Sequence, residues 1–173
     1  MTKLPGKDSF PTREADLYAP LVRLFRRHKF IFGEVPFFGK RVDLVFATPS
    51  FLRLQAVETK LRDWRTAFKQ AALNQLAVQH SYVALPAALA ARLARQEERL
   101  FTAYDVGLIS VNDEATILIP AMRNGYFNAR HHRAVKRALV SAVCKQKPQK
   151  IGVFANALTE RSRSLVLLQA WAD

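Results

Sequence analysis

Apolar and polar positions along this chain repeat on two periods, and the switches between them mark its elements. Leu17, Leu21, Leu24 and Phe25 recur at i, i+4, i+7 and i+8, one face of a helix. Thr12 suits the N-cap of that helix and puts Glu14 in its first turn, while Pro20 should kink it or start it anew. Residues 30–37 and 41–47 read as strands joined by the turn Phe38-Gly39-Lys40, together a hairpin. Thr48-Pro49-Ser50 breaks the chain before a third strand, residues 52–60. Residues 63–80 are expected to be helical, with Trp64, Ala67, Phe68, Ala71, Ala72, Gln75 and Leu76 as the inner stripe. A strand at 81–85 is closed by Pro86, a second crossover helix covers 87–99, and short strands follow at 107–111 and 115–120. This succession predicts a mixed α/β sheet with helices on both faces.

Beyond Arg123 the pattern changes. Residues 128–145 form a helix with Ala134, Val135, Ala138, Leu139, Ala142 and Val143 inward and Arg130, Arg133, Lys136 and Arg137 over much of the remainder. After the linker Lys147-Pro148-Gln149-Lys150 come two short helical patterns joined near 158–162. They fit a helix-turn-helix with Arg161 and Arg163 on its recognition helix, or, the preferred reading, a helical cap over the sheet or at a dimer interface. The chain thus divides into a flexible lead (1–11), an α/β core (12–122) and a basic helical extension (123–173). The apolar run Leu165-Val166-Leu167-Leu168, with Trp171, requires cover from the protein's own sheet or from a second copy.

Three charged residues break the apolar strand patterns. Asp43 sits among Val42, Leu44, Val45 and Phe46, and Glu58 and Lys60 follow Leu54, Ala56 and Val57. Burying an unpaired charge is costly, so such acids need a partner or a purpose. Strand alternation places Glu58 and Lys60 on one face, about 7 Å apart along the strand. With the two strands as neighbours, Asp43 joins them, and the three make a metal site with a lysine beside it.

The order of Glu14 in the first helix, Asp43 in a strand, and E-x-K at Glu58-Thr59-Lys60 resembles the PD-(D/E)xK nuclease superfamily. The helix after E-x-K often carries Q-x-x-x-Y in these proteins; here it reads Gln70 to Asn74, and Val42 stands where a proline commonly precedes the aspartate. The resemblance spans roughly residues 12–120 and implies a restriction-endonuclease-like core. It implies that Asp43, Glu58 and the Thr59 carbonyl ligate Mg²⁺, with Mn²⁺ able to substitute, and that Glu14 serves a second metal or a metal-bound water. Lys60 would orient the attacking water or neutralise the phosphorus intermediate, and Gln70 would orient DNA or a water near Lys60. Glu34, on the strand before Asp43, rivals Glu14 as the third acid.

The implied function is a metal-dependent endonuclease acting on DNA in restriction, repair, junction processing or defence against mobile DNA; RNA would be cut by the same chemistry. The alternative is a catalytically silent, basic nucleic-acid-binding subunit of a DNA-processing complex. Double-strand cleavage suits two sites related by a two-fold axis, so a homodimer through the C-terminal region is expected, with partner proteins of a DNA-processing or defence complex.

Charge supports a polyanionic partner. Twenty-seven Lys and Arg against fourteen Asp and Glu leave +13, with a pI near 10.5. Arg41, Arg62, Arg65 and Lys69 around the motif strands, and Arg130, Arg133 and Arg137 in the later helix, are the expected nucleic-acid contacts. His28, His80, His131 and His132 read as ordinary, the last two as solvated, since neighbouring helical histidines diverge by about 100°. The single Cys144 excludes an internal disulfide. No apolar signal core or membrane-length run appears, and a cytoplasmic, non-membrane protein is expected.

Overall fold

The computed structural model describes residues 11–123, 125–145, 149–150 and 166–169. Its centre is a mixed sheet in the order β6 (Ala115–Ile119), β5 (Val106–Val111), β4 (His80–Pro86), β3 (Leu54–Thr59), β2 (Lys40–Ala47), β1 (Phe30–Phe37), β8 (Val166–Gln169), β7 (Gln149–Lys150). Strands β1 (Phe30–Phe37), β2 (Lys40–Ala47) and β3 (Leu54–Thr59) form an antiparallel meander. The crossover helix α2 (Trp64–Asn74) returns the chain to β4 (His80–Pro86), parallel to β3. Helices α3 (Ala87–Gln96) and α4 (Glu98–Ala103) lead to β5 (Val106–Val111), parallel to β4, and β6 (Ala115–Ile119) folds back antiparallel. The expected mixed α/β sheet, flanked by helices, is what forms.

Local chemistry explains where elements begin and end. The first helix opens as a 3₁₀ turn (Glu14–Leu17) and continues as α1 (Tyr18–Leu24). The cap is not Thr12: Arg13 holds that position, and the Asp16 carboxylate reaches back to accept the amides of Arg13 (2.8 Å) and Thr12 (3.0 Å). Pro20 is the third residue of α1, in the first α-helical turn after the 3₁₀ segment, where the change of helix type accommodates a residue without an N–H. Helix α2 starts at Asp63, whose Oδ1 accepts the Thr66 amide (3.1 Å), and stops at Asn74 instead of running to residue 80. There the Asn74 carbonyl takes the amides of both Ala77 and Val78, and the chain turns so that the Gln79 amide meets the Leu54 carbonyl. The helix expected over 87–99 is broken at Glu97 (φ −123°, ψ 13°). The break restarts the helix so that Phe101 lies fully buried against Trp64 and Phe68.

Three apolar clusters fill the two faces of the sheet. Leu17, Tyr18, Leu21 and Phe25 cover one face at Leu44, Phe46, Val57 and Tyr82. Trp64, Phe68 and Phe101 pack on Val83, Leu85 and Leu108. Val135, Leu139 and Ala142 of α5 (Ala129–Lys145) close over Phe32, Val35, Val45 and Leu54. Each such large side chain contributes about 1.5–3 kcal/mol by leaving water. His132 belongs to this packing. It was expected to be solvated, but it is buried, its Nδ1 lying 2.9 Å from the Ala77 carbonyl and its ring against Phe127.

The C-terminal run is also corrected. Val166–Gln169 (β8) is a strand, not part of a helix, and pairs antiparallel with β1, with Ile31, Phe32 and Gly33 opposite Leu168, Leu167 and Val166. The short β7 (Gln149–Lys150) lies parallel beyond it. β1 would otherwise present an unpaired ladder, and an apolar segment such as V-L-L-Q satisfies it. The helix-turn-helix with Arg161 and Arg163 falls outside the described residues. Among those described, no helix is long and apolar enough to cross a membrane.

Candidate active site

One end of the meander gathers the polar residues. Strand alternation slips by one residue in β1 and β2 together: Phe32 and Val35 lie in one cluster, as do Val42 and Val45. Pairing of Gly33 with Leu44 and of Val35 with Val42 sets Glu34 opposite Asp43 at this slip. Glu34 adopts a left-handed φ of 55°, a conformation that strains any side chain. The kink turns Asp43 toward the end of β3. There its Oδ2 accepts the Thr59 amide (2.7 Å) and the Thr59 hydroxyl (2.8 Å).

β3 ends at Thr59, and this separates the two charged residues of E-x-K. Glu58 pairs with Val83 across the parallel ladder and shares its face, toward α2; its Oε1 accepts Asn74 Nδ2 (2.7 Å). Lys60 lies beyond the strand, its amide on the Ala84 carbonyl (3.3 Å). Its Nζ donates to Glu14 Oε2 (3.0 Å) and to the Thr59 carbonyl (2.9 Å), and stands 4.0 Å from Asp43 Oδ2. The expectation that Glu58 and Lys60 engage one side of the strand therefore fails, because the strand's alternation stops between them. The structure nonetheless brings Glu14, Asp43, Glu58, Thr59 and Lys60 to one sheet end from three separate segments.

The electrostatics follow from burial. Glu58 is 1 % exposed, and its carboxyl is pushed up to about 8, first by burial and then by the charge of Asp43. Asp43 is raised as well, burial outweighing Lys60 and the two Thr59 donors. For Lys60, burial acts to lower the ammonium, but Asp43 and Glu14 prevail and hold it above its usual value. Glu34 is raised, by burial and then by Asp43, and Arg41 lies 4.0 Å from its carboxylate. Tyr18, buried beneath Thr59 and hydrogen-bonded to it, is raised by burial and then by Asp43. Three carboxyls, Glu34, Asp43 and Glu58, are thus held above their normal range, and such a site favours added positive charge.

The donor set is composed of hard oxygens, as Mg²⁺ prefers. Glu58 Oε2 is buried without a hydrogen-bond partner, and the Thr59 carbonyl accepts the Lys60 ammonium. These features fit a divalent cation held by Asp43, Glu58 and the Thr59 carbonyl, with Glu14 nearby. Among the described residues, no three His, Cys, Asp or Glu side chains already converge as a ligand group. The arrangement offers two such side chains and a main-chain oxygen.

Gln70 lies with Glu58 and not with Lys60. Both line a small cavity with Phe37, Lys40, Arg41 and Asn74, and Gln70 Oε1 is buried without a partner. Asn74, which sequence reasoning treated only as a missing tyrosine, is the residue that holds Glu58. The signal was present: Gln70 and Asn74 are spaced i, i+4 and share a helix face. Tyr18 was also missed, since an aromatic in an apolar stripe reads as core.

The proposed nucleic-acid contacts divide by location. Arg41 is half-buried, with Nη1 donating to the Glu34 carbonyl (3.4 Å), so it serves the kink. Arg62, Arg65 and Lys69 are exposed along the start of α2, with the Arg65 guanidinium 4.7 Å over the Trp64 ring. Arg130, Arg133 and Arg137 are exposed on α5, where Arg133, Lys136 and Arg137 flank an open groove with Val140.

No protein-family model matches the chain, and no curated protein is similar to it. Among solved structures it is similar to the SPO1766 protein of unknown function from Silicibacter pomeroyi. The two share 19 % identity and a TM-score of 0.56, over 87 % of this chain and 95 % of that one. This likeness establishes the shared α/β fold.

Proposed function

We propose that this protein is a metal-dependent nuclease that hydrolyses the phosphodiester bonds of DNA, with a PD-(D/E)xK-type site. One observation carries the reading: Glu14, Asp43 and the segment Glu58-Thr59-Lys60, far apart in sequence, meet at one end of the sheet, where the Lys60 ammonium bonds Glu14 and the Thr59 carbonyl and lies 4.0 Å from Asp43. Asp43, Glu58 and the Thr59 carbonyl would hold Mg²⁺, which supplies charge neutralisation at the phosphate and an acidified water. The protein's own groups do the rest. Lys60, kept protonated by Asp43 and Glu14, places a fixed positive charge beside the reacting phosphate. Thr59 orients Asp43 through two hydrogen bonds, and Asn74 orients Glu58 through one. Basic side chains on α2 and α5 steer the polyanion and hold its backbone.

The same geometry gives a silent binding subunit its one supporting observation. The Lys60 ammonium already bonds the Thr59 carbonyl and approaches Asp43, where a cation would otherwise sit. The two readings separate on plasmid DNA. The nuclease reading expects degradation with Mg²⁺ or Mn²⁺, loss with EDTA, and loss in Lys60→Ala with DNA binding retained. Cleavage of equal rate by Lys60→Ala would sink the assigned site, and no cleavage with any divalent metal would favour the silent subunit.

A further inference from the structure

The tip of the β1–β2 hairpin carries a residue that neither the turn nor the core explains. Phe38 and Gly39 form a two-residue turn with φ of 47° and 70°, both left-handed. That geometry suits Asn-Gly, and a phenylalanine there is strained. Phe38 is nevertheless 50 % exposed, so it lies outside the core. Its ring is instead held in place from two sides, by Phe37 at 4.5 Å and by His131 of α5 at 4.7 Å. The residues on either side of the tip, Phe37 and Lys40, line the cavity that contains Glu58 and Gln70. A half-exposed aromatic ring, packed against Phe37 and His131, therefore stands at the margin of the candidate site, two residues from the exposed Lys40.

Resting on the nuclease reading, we infer that Phe38 is a stacking platform for one unpaired base of the nucleic-acid substrate, next to the phosphate that Lys40 and the site engage. Charge and shape choose the ligand: a net charge of +13 draws a polyanion, and a base offers the flat face that an exposed ring accepts. Magnitude chooses the substrate class. Stacking one base on an aromatic side chain strengthens binding by about 10- to 100-fold. Extracting a base from continuous duplex weakens it by a comparable factor. One ring thus gains little from intact duplex and its full effect from a base that is already unpaired. The preferred substrates are single strands, flaps, frayed ends or bulges.

The test uses Phe38→Asn and Phe38→Trp in the full chain. Phe38→Asn installs the favoured turn pair, so it should raise the melting temperature while removing the ring; Phe38→Trp keeps a stacking surface. Binding is read by fluorescence anisotropy in EDTA, so that no cleavage intervenes, on a continuous DNA duplex, the same duplex with one unpaired base, and its single strand. The expected result is an affinity loss of about 10-fold or more for Phe38→Asn on the two probes with unpaired bases, with duplex binding unchanged and Phe38→Trp near wild type. Equal loss on all three probes, or loss on none, overturns the assignment. Wild-type cleavage in Mg²⁺ is scored separately. No cleavage with the Phe38 effect intact refutes the nuclease reading alone, and cleavage without that effect refutes the stacking platform alone.

Discussion

Glu58 offers a quantitative test of the site that needs no substrate. Its carboxyl titrates near 4.5 when free in the unfolded chain and is pushed up to about 8 in the folded protein, chiefly by burial. Between these values the native state binds a proton that the unfolded state has lost, so stability falls as pH rises through this window and levels off above it. Each unit corresponds to about 1.36 kcal/mol, so near pH 7 the penalty is about 3 kcal/mol, growing to about 5 kcal/mol at the top of the window. Glu58→Gln mimics the protonated form and keeps an oxygen for Asn74 Nδ2. The variant should match wild type near about pH 4 and exceed it by about 3 kcal/mol near about pH 7, a rise in melting temperature on the order of 10 °C. Urea unfolding across this range, read as the difference between the two proteins, cancels the other carboxyls. Adding Mg²⁺ should stabilise wild type by mass action and leave Glu58→Gln unmoved. If the two proteins lose stability in parallel from about pH 4 to about pH 8, Glu58 is not held as argued and the site's charge balance is wrong.

Two further predictions address the neighbouring groups. Glu14→Ala should lower cleavage more than Glu34→Ala, because Glu14 bonds Lys60 whereas Glu34 faces Arg41; the reverse order of rates on plasmid DNA would transfer the third acidic role to Glu34. His132→Ala should destabilise by about 2–3 kcal/mol in urea, since it leaves the Ala77 carbonyl without its partner and opens the space beside Phe127, yet leave cleavage by the folded protein unchanged. A loss of activity at full stability would place His132 in the chemistry instead.

The order of elements was legible in the chain because local periodicity reports which faces are buried. Alternation in residues 30–60 and 3.6-residue spacing from Trp64 onward were enough for the meander, the crossover and the α/β class. The polar positions were legible as well: Asp43, Glu58 and Lys60 stand out because apolar strands exclude charge unless something compensates it. What each side chain meets was decided by tertiary structure. Two positions separated in sequence by two lie on one face only while the strand lasts, and β3 ends between Glu58 and Lys60. The slip at Glu34 and Asp43 depends on two strands kinking together, and no single run encodes it. Asn74 reads only as the place of a missing tyrosine, and His132 as solvated, until α2 is seen to end where it does and α5 to dock on the turn that follows. The apolar run near the end of the chain had no readable destination either. Local pattern says that it must be covered, but only the open edge of β1 makes it a strand.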